Sequence, residues 1–328
     1  MNQAGITDPA PRSLLFLALD LVDGTQRRTV DRMLADWSRA IEPATRGKPD
    51  APELTGLDTT GLTMTIGVGP GLPGRLGLTA PKELAPIPPF PGDRLRPTLC
   101  GGDLAVQICS NDPLVSLQAA QVLTRLSQGV LTIRWRLPGF TQPGPSTPRN
   151  AFGFKDGTGN PRTAADISDA VWISEGPWRH GTFLVVRRIT MDVQRFATLP
   201  AQRQEAVIGS RRDTGAPLTG HAEFDEVDLF AKNADGTYVL PVDAHNRRAH
   251  ARFDGGRQMV RRGFTYTSGN DETGLLFLAF MKDPGLFTRV QTRLVEQDAL
   301  NGFIQHIGSA VFLMLPGTGD GAVLRLPG

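Results

Sequence analysis

Cysteine is nearly missing from this chain. Cys100 and Cys109 are the only two in 328 residues, and no Cys-x-x-Cys pair occurs. The stretch from Asp103 to Cys109 reads as a strand, and an extended strand carries its ends beyond the roughly 7 Å Cα separation that a disulfide tolerates. Two thiols without helpers also cannot complete a tetrahedral zinc site. Neither a disulfide framework nor a cysteine-bound zinc is expected, and cysteine usage leaves the compartment unmarked. Long apolar runs are absent too, so no stretch of about 18 residues is suited to spanning a bilayer as a helix. Charge of one sign is lacking: 35 Lys+Arg stand against 33 Asp+Glu. That balance provides no broad electrostatic footprint for nucleic acid or an acidic membrane. Met1 to Arg12 is polar and proline-bearing, unlike a secretory signal. Histidine is scarce, with five in all, and no His-Glu-x-x-His pair exists. His245 and His250, five apart, are a poor chelating pair on a helix.

What is present is enough to build a large core. Hydrophobic residues make up 40% of the chain, and its length predicts about two domains. A weak internal repeat organises it: Leu14-Leu-Phe-Leu-Ala-Leu19 resembles Leu275-Leu-Phe-Leu-Ala-Phe280. Each copy is followed by a turn and an amphipathic helix. The first helix is expected over roughly 26–41, with Val30, Met33, Leu34 and Trp37 at helical spacing, and the second over 286–294. A strand at 103–109 leads into Asp112-Pro113, an N-cap and an N1 proline, opening a helix to about Ser127. A further strand at 182–189 precedes a helix at 193–208. Segments 62–68 and 130–137 alternate apolar and polar residues as half-buried antiparallel strands do. The expected fold class is α+β, two antiparallel sheets each with helices on one face. The tract Pro138 to Arg149, with four prolines and two glycines, is the expected linker. It divides the chain into an N-terminal half (1–145) and a C-terminal half (146–328). Segments 47–56 and 81–97 read as surface loops.

Three segments are equipped for chemistry. In Asn150-Ala-Phe-Gly-Phe-Lys-Asp156-Gly-Thr-Gly-Asn-Pro161, glycines and two aromatics crowd one carboxylate into a backbone-rich loop that can approach a flat ligand closely. Asp243-Ala-His245-Asn-Arg247 isolates one histidine. In Met259-Val-Arg261-Arg262-Gly-Phe-Thr-Tyr266, an inward arginine would need an anionic or strongly polar partner.

Together, in order and spacing, these segments resemble the dye-decolorising peroxidases. The likeness extends to Gly5-Ile6-Thr7, Gly101-Gly102-Asp103-Leu104, Gly215-Ala-Pro-Leu218, Gly274-Leu-Leu-Phe277, the tract from Gln297 to Asn301, Ser309-Ala-Val-Phe312 and Pro316-Gly317. It covers nearly the whole chain and is nearest to the secreted branch that includes the deferrochelatases. The resemblance implies a dimeric α+β barrel made of two ferredoxin-like halves, with haem b in the C-terminal half. It implies that His245 ligates the iron from the proximal side, and that Asp156 and Arg261 act distally on hydrogen peroxide. Arg261 is preferred to Arg262 for that role. Phe154, Gly157, Thr158 and Arg247 are the further cofactor-contacting positions it implies. Arg261 is expected to pair with Asp156 and keep it ionised, so that the carboxylate moves the peroxide proton on the way to an iron–oxo intermediate. Organic electron donors such as dyes and phenols are then oxidised one electron at a time. Trp37, Trp135, Trp172, Trp178, Tyr238 and Tyr266 are the aromatic side chains available as relays. The proximal histidine is expected to donate its second N–H, with Asp283, Asp298 and His306 as nearby groups. The branch implies a secreted or periplasmic protein. Two rival readings remain: a deferrochelatase releasing iron from haem, and a haem carrier that would have no need of Asp156 or Arg261.

Overall fold

The computed structural model describes residues 2–142, 144, 146–269, 272–317 and 322–326. Its strands and helices follow one another as β1 (Ser13–Leu21), α1 (Arg27–Thr45), β2 (Thr63–Val68), α2 (Gly71–Arg75), β3 (Leu104–Ser110), α3 (Pro113–Leu126), β4 (Leu131–Phe140), α4 (Ala164–Val171), β5 (Thr182–Met191), α5 (Val193–Ala197), α6 (Ala201–Ile208), α7 (His245–Arg248), β6 (Val260–Ser268), β7 (Glu272–Met281), α8 (Gly285–Gln297) and β8 (Ile304–Met314). In the first half β1 pairs with β3 and β4, and β3 with β2. The second half repeats this wiring, β5 with β7 and β8, and β7 with β6. The repeat seen in sequence is thus a repeat of topology, with every pairing antiparallel.

The expected two sheets are in fact one. Gly67 and Val68 of β2 pair with Met314 and Leu313 of β8, and Phe140 of β4 pairs with Thr265 of β6, closing the strands into a barrel. Residues directly opposite across antiparallel strands share a face. The inward set from both halves, including Leu14, Phe16, Trp135, Phe264, Tyr266, Leu276 and Phe312, forms one buried cluster filling the barrel. The outer face of the first half is covered by α1 and α3, whose Val30, Met33, Leu34, Trp37, Val115 and Leu123 share a cluster with the outward residues of β1 to β3. Each large apolar side chain so buried stabilises the fold by about 1.5–3 kcal/mol. On the outer face of the second half, Leu286 and Phe287 of α8 cover Val185, Ala279 and Val311.

Local expectations hold where the signals were covalent or periodic. Asp112 caps α3 by accepting the Leu114 N–H, with Pro113 in the first turn. Cys100 and Cys109 are both free thiols. The helix expected over 193–208 is broken into α5 and α6, because Pro200 has no N–H to continue the ladder and sits at the N-cap of α6. Segment 62–68 is not half-buried. Its polar Thr65 points into the barrel and is satisfied there by the Ala4 carbonyl at 2.6 Å. The expected linker starts later than read, since Pro138, Gly139 and Phe140 belong to β4; Pro143 and Pro145 lie outside the described residues. Segment 81–97 is more than a surface loop: Phe90 is buried, and the Arg94 and Arg96 amides donate to the carbonyls of His306 and Ile307.

Candidate active site

The side expected to be proximal is built by α7, a single turn following the long segment 209–244. His245 opens that turn. Its Nδ1 lies 2.6 Å from Asp298 Oδ2, and the Asp298 side chain is 1% exposed. The other Asp298 oxygen accepts the Leu300 N–H at 2.8 Å, and the Ala299 N–H donates to the Asp243 carbonyl, so the two segments are laced together. Of the acidic groups considered from sequence, Asp298 is therefore the partner; Asp283 instead accepts the Gly285 N–H at 2.8 Å. With Nδ1–H donated to a buried carboxylate, the ring is oriented and Nε2 is left free. Burial opposes charge on this ring, but attraction and hydrogen bonding from Asp298 outweigh it and hold its pKa above the ordinary histidine value.

The side expected to be distal is a hairpin. The Asp156 N–H donates to the Pro148 carbonyl at 2.8 Å and the Asn150 N–H to Phe154 at 2.9 Å, with Arg149 bridged to Lys155. Asn150 Oδ1 accepts the Phe152 and Phe154 amides inside the turn. Gly157 follows Asp156 at φ +124°, a backbone conformation that side-chain-bearing residues rarely adopt. Asp156 is thereby turned against β6, where a Cβ on Gly263 would lie 3.3 Å from its Oδ2.

The register of β6 separates the two arginines. Arg262 aligns with Leu278 and faces the barrel interior, where it is 6% exposed and donates to the Asp8 carbonyl. Arg261 aligns with Ala279 on the outer face, next to the Asp156 hairpin. Its backbone N–H and Nε donate to Asn160 Oδ1 at 3.0 and 3.3 Å, and Asn160 Nδ2 donates back to the Arg261 carbonyl at 2.9 Å. The expected Asp156–Arg261 ion pair is not formed: among the described residues no contact within 4.0 Å joins them. Asn160 aligns the arginine instead, which leaves the carboxylate and the guanidinium as separate groups facing one space.

That space is legible from accessibility. One edge of His245 is covered by Asp298, yet 27% of its side chain is accessible, so its free edge faces a hollow. The charges of Arg261 and Asp156 both reach the ring. Leu275 and Phe277 remain partly exposed on β7 even though β5 and β6 flank that strand on either side. Among the described residues no group of three His, Cys, Asp or Glu side chains could cage a metal. A single oriented imidazole, apolar walls and a glycine with no side chain fit a flat macrocycle that brings its own four metal ligands.

Comparisons with known proteins identify the family. The family model for the N-terminal part of the Dyp-type peroxidases matches residues 3–141, and that for the C-terminal part matches residues 147–319. The chain belongs to the Dyp-type peroxidase family. A dye-decolorizing peroxidase of Thermobifida fusca (strain YX) is 35% identical over 98% of this chain and 82% of its own. A deferrochelatase of Yersinia pestis bv. Antiqua (strain Nepal516) is 32% identical over 97% and 81%. A solved oxyferrous complex of DtpA from Streptomyces lividans superposes with a TM-score of 0.93 at 34% identity, covering 98% of this chain and 94% of that one. This Dyp-type peroxidase is accordingly a haem enzyme of the oxidoreductase class.

The charges of Asp156 and Arg261 reach His245, Gly157 follows Asp156 in the hairpin, and the other sequence-derived positions make supporting contacts. Phe154 is fully buried and packs edge-on to Phe196 beneath the hairpin, at 6.1 Å. The Thr158 hydroxyl donates to Glu223 at 3.2 Å. Arg247 donates to the Leu229 and Leu240 carbonyls and covers the Tyr238 ring at 4.5 Å, so its guanidinium holds the segment before α7. Sequence reasoning did not reach the parts played by Asn160 and Gly263, although both lie in the quoted segments. Glu223 had no signal of its own, because its partners are all distant in sequence.

Proposed function

We propose that this peroxidase uses hydrogen peroxide to oxidise dyes, phenols or other bulky organic donors by one-electron steps. Haem b, when bound, supplies the iron that takes peroxide and the oxidising equivalents passed to donors. His245 would hold that iron through Nε2, and Asp298 would keep the ring aligned and electron-rich. On the opposite side the Asp156 carboxylate takes the proton from one peroxide oxygen and returns it to the leaving oxygen. Arg261, aligned by Asn160, stabilises the negative charge that develops as the O–O bond breaks. The observation that carries this reading is the single imidazole locked by Asp298 on a hollow that Asp156 and Arg261 share. His245→Ala is expected to abolish stable haem retention. A normal Soret band and full iron occupancy in that variant would overturn the assignment.

A second reading, release of iron from haem with the porphyrin left intact, is supported by the relatives named deferrochelatase. Turnover with peroxide and a donor separates the two: a peroxidase keeps its Soret band, whereas a deferrochelatase yields metal-free porphyrin. Among the described residues no helix is long and apolar enough to cross a membrane. The likeness to the secreted branch supports a secreted or periplasmic location, which cell fractionation would test.

A further inference from the structure

Glu223 belongs to the segment between α6 and α7, outside the sheet, yet its side-chain partners lie on or just before the distal hairpin. The Lys155 ammonium pairs with its Oε2, and the Thr147 hydroxyl donates to its Oε1. The Thr158 hydroxyl donates to the same Oε1 at 3.2 Å. Thr147 precedes one arm of the hairpin, while Lys155 and Thr158 bracket Asp156-Gly157 on the other. The two charged side chains are largely buried, 12% exposed for Glu223 and 18% for Lys155. Gly215 gives the lysine room to lie inward, since a Cβ there would meet Lys155 Cδ at 2.5 Å.

One carboxylate therefore fixes the hairpin on both sides of the residue that must meet peroxide. The hairpin's own backbone bonds set its fold and Asn160 ties its far end to β6, while among the described residues Glu223 is the side chain that joins Thr147 to Thr158 and so restrains how the turn between them sits. Charge-assisted hydrogen bonds are the shorter and stronger kind, and three converging on one rigid acceptor restrain a loop better than scattered neutral ones.

We propose that Glu223 is a positioning residue for the peroxidase reaction, clamping the hairpin that aims Asp156 into the haem hollow. This rests on the distal role proposed for Asp156 above. The haem-loaded protein can be compared by stopped flow with stoichiometric peroxide in Glu223→Ala, Glu223→Gln and, as reference, Asp156→Asn. The same preparations are examined for amide hydrogen exchange over residues 147–160. Misplacing a reacting group by about 1 Å can cost on the order of 10²-fold, so Glu223→Ala is expected to react roughly ten- to a hundredfold more slowly. Glu223→Gln retains the Oε1 acceptor for both threonines and is expected to recover most of that loss. Exchange across the hairpin should be faster in the alanine variant and close to native in the glutamine variant, with haem content unchanged in both. A native rate in Glu223→Ala, or equal slowing in both variants, would overturn the proposal. If Asp156→Asn itself reacts at the native rate, the distal reading of Asp156 fails, and the exchange data still report separately whether Glu223 clamps the hairpin.

Discussion

At the scale of single residues, the distal groups divide the work without touching one another. Among the described residues Asp156 forms no ion pair within 4.0 Å, and Arg261 is held by an amide rather than by the acid. Their contributions should therefore separate in mutants. Asp156→Asn and Arg261→Leu are each expected to keep haem and slow the reaction with peroxide. The loss should be roughly 10²–10⁴-fold for whichever carries the proton. The double variant should fall short of the product of the single losses, since groups serving one step act as a unit. Rapid-mixing spectra at stoichiometric peroxide measure all three. The identity and order of these residues were legible in the sequence, carried by the segments around Asp156, His245 and Arg261. Their partners were less so. An ion pair was the natural expectation for an acid and an arginine sharing a site, but Asn160, four residues beyond Asp156, wins the arginine through three backbone and side-chain bonds.

At the scale of elements, the signals that survived were caps and apolar spacing. Asp112 is exposed, so its effect on α3 is that of the cap alone. Asp112→Ala is expected to cost about 0.5–2 kcal/mol of stability, with haem binding and peroxide reactivity unchanged, as chemical denaturation and the Soret band would show. The strand reading failed where both faces are covered. β2 alternates threonines with apolar residues, which in an open sheet marks a wet face. In a closed barrel the threonines face inward, and the N-terminal segment supplies the bond to Thr65. Barrel closure itself left no local trace, because β2 meets β8 across most of the chain and at two adjacent positions.

At the scale of the whole molecule, buried ionisable groups set the response to acid. Burial, reinforced by Arg187 and by His245, pushes His306 down to about 3. An unfolded histidine titrates near 6.5. Between those values the unfolded chain binds a proton that the folded chain refuses, so stability falls as pH drops through that window. Glu272 shifts the same way for a different reason. Burial raises its pKa, but bonds from Arg188, Tyr266 and Ser268 lower it by more, and the ionised form is favoured in the fold. Its contribution is present above the unfolded carboxyl value and is lost as pH falls through the folded one. The haem-free protein is expected to lose stability on acidification from about pH 6.5, by up to a few kcal/mol from His306 alone, and more steeply below about pH 4.5 as carboxylates join. Denaturant titrations across that range, with His306→Gln as comparison, check it. A variant whose loss between pH 6.5 and 4.5 matches the parent would refute the assignment to His306.

The two halves share one wiring but not one roof. In the first, the unbroken α1 lays Trp37 and its neighbours flat on the outer face of the sheet and leaves no room. Its counterpart after β5 is snapped at Pro200. The fragments α5 and α6 bury Phe196, Val207 and Ile208 against the distal hairpin and the edge of the sheet at Met191 and Leu275. The outer face of the second half thus keeps α8 and loses its other shelter, and His245 hangs from the segment that follows the break. The same wiring thus carries a wall in one copy and, where Pro200 interrupts the helix and the segment 209–244 follows, a room in the other.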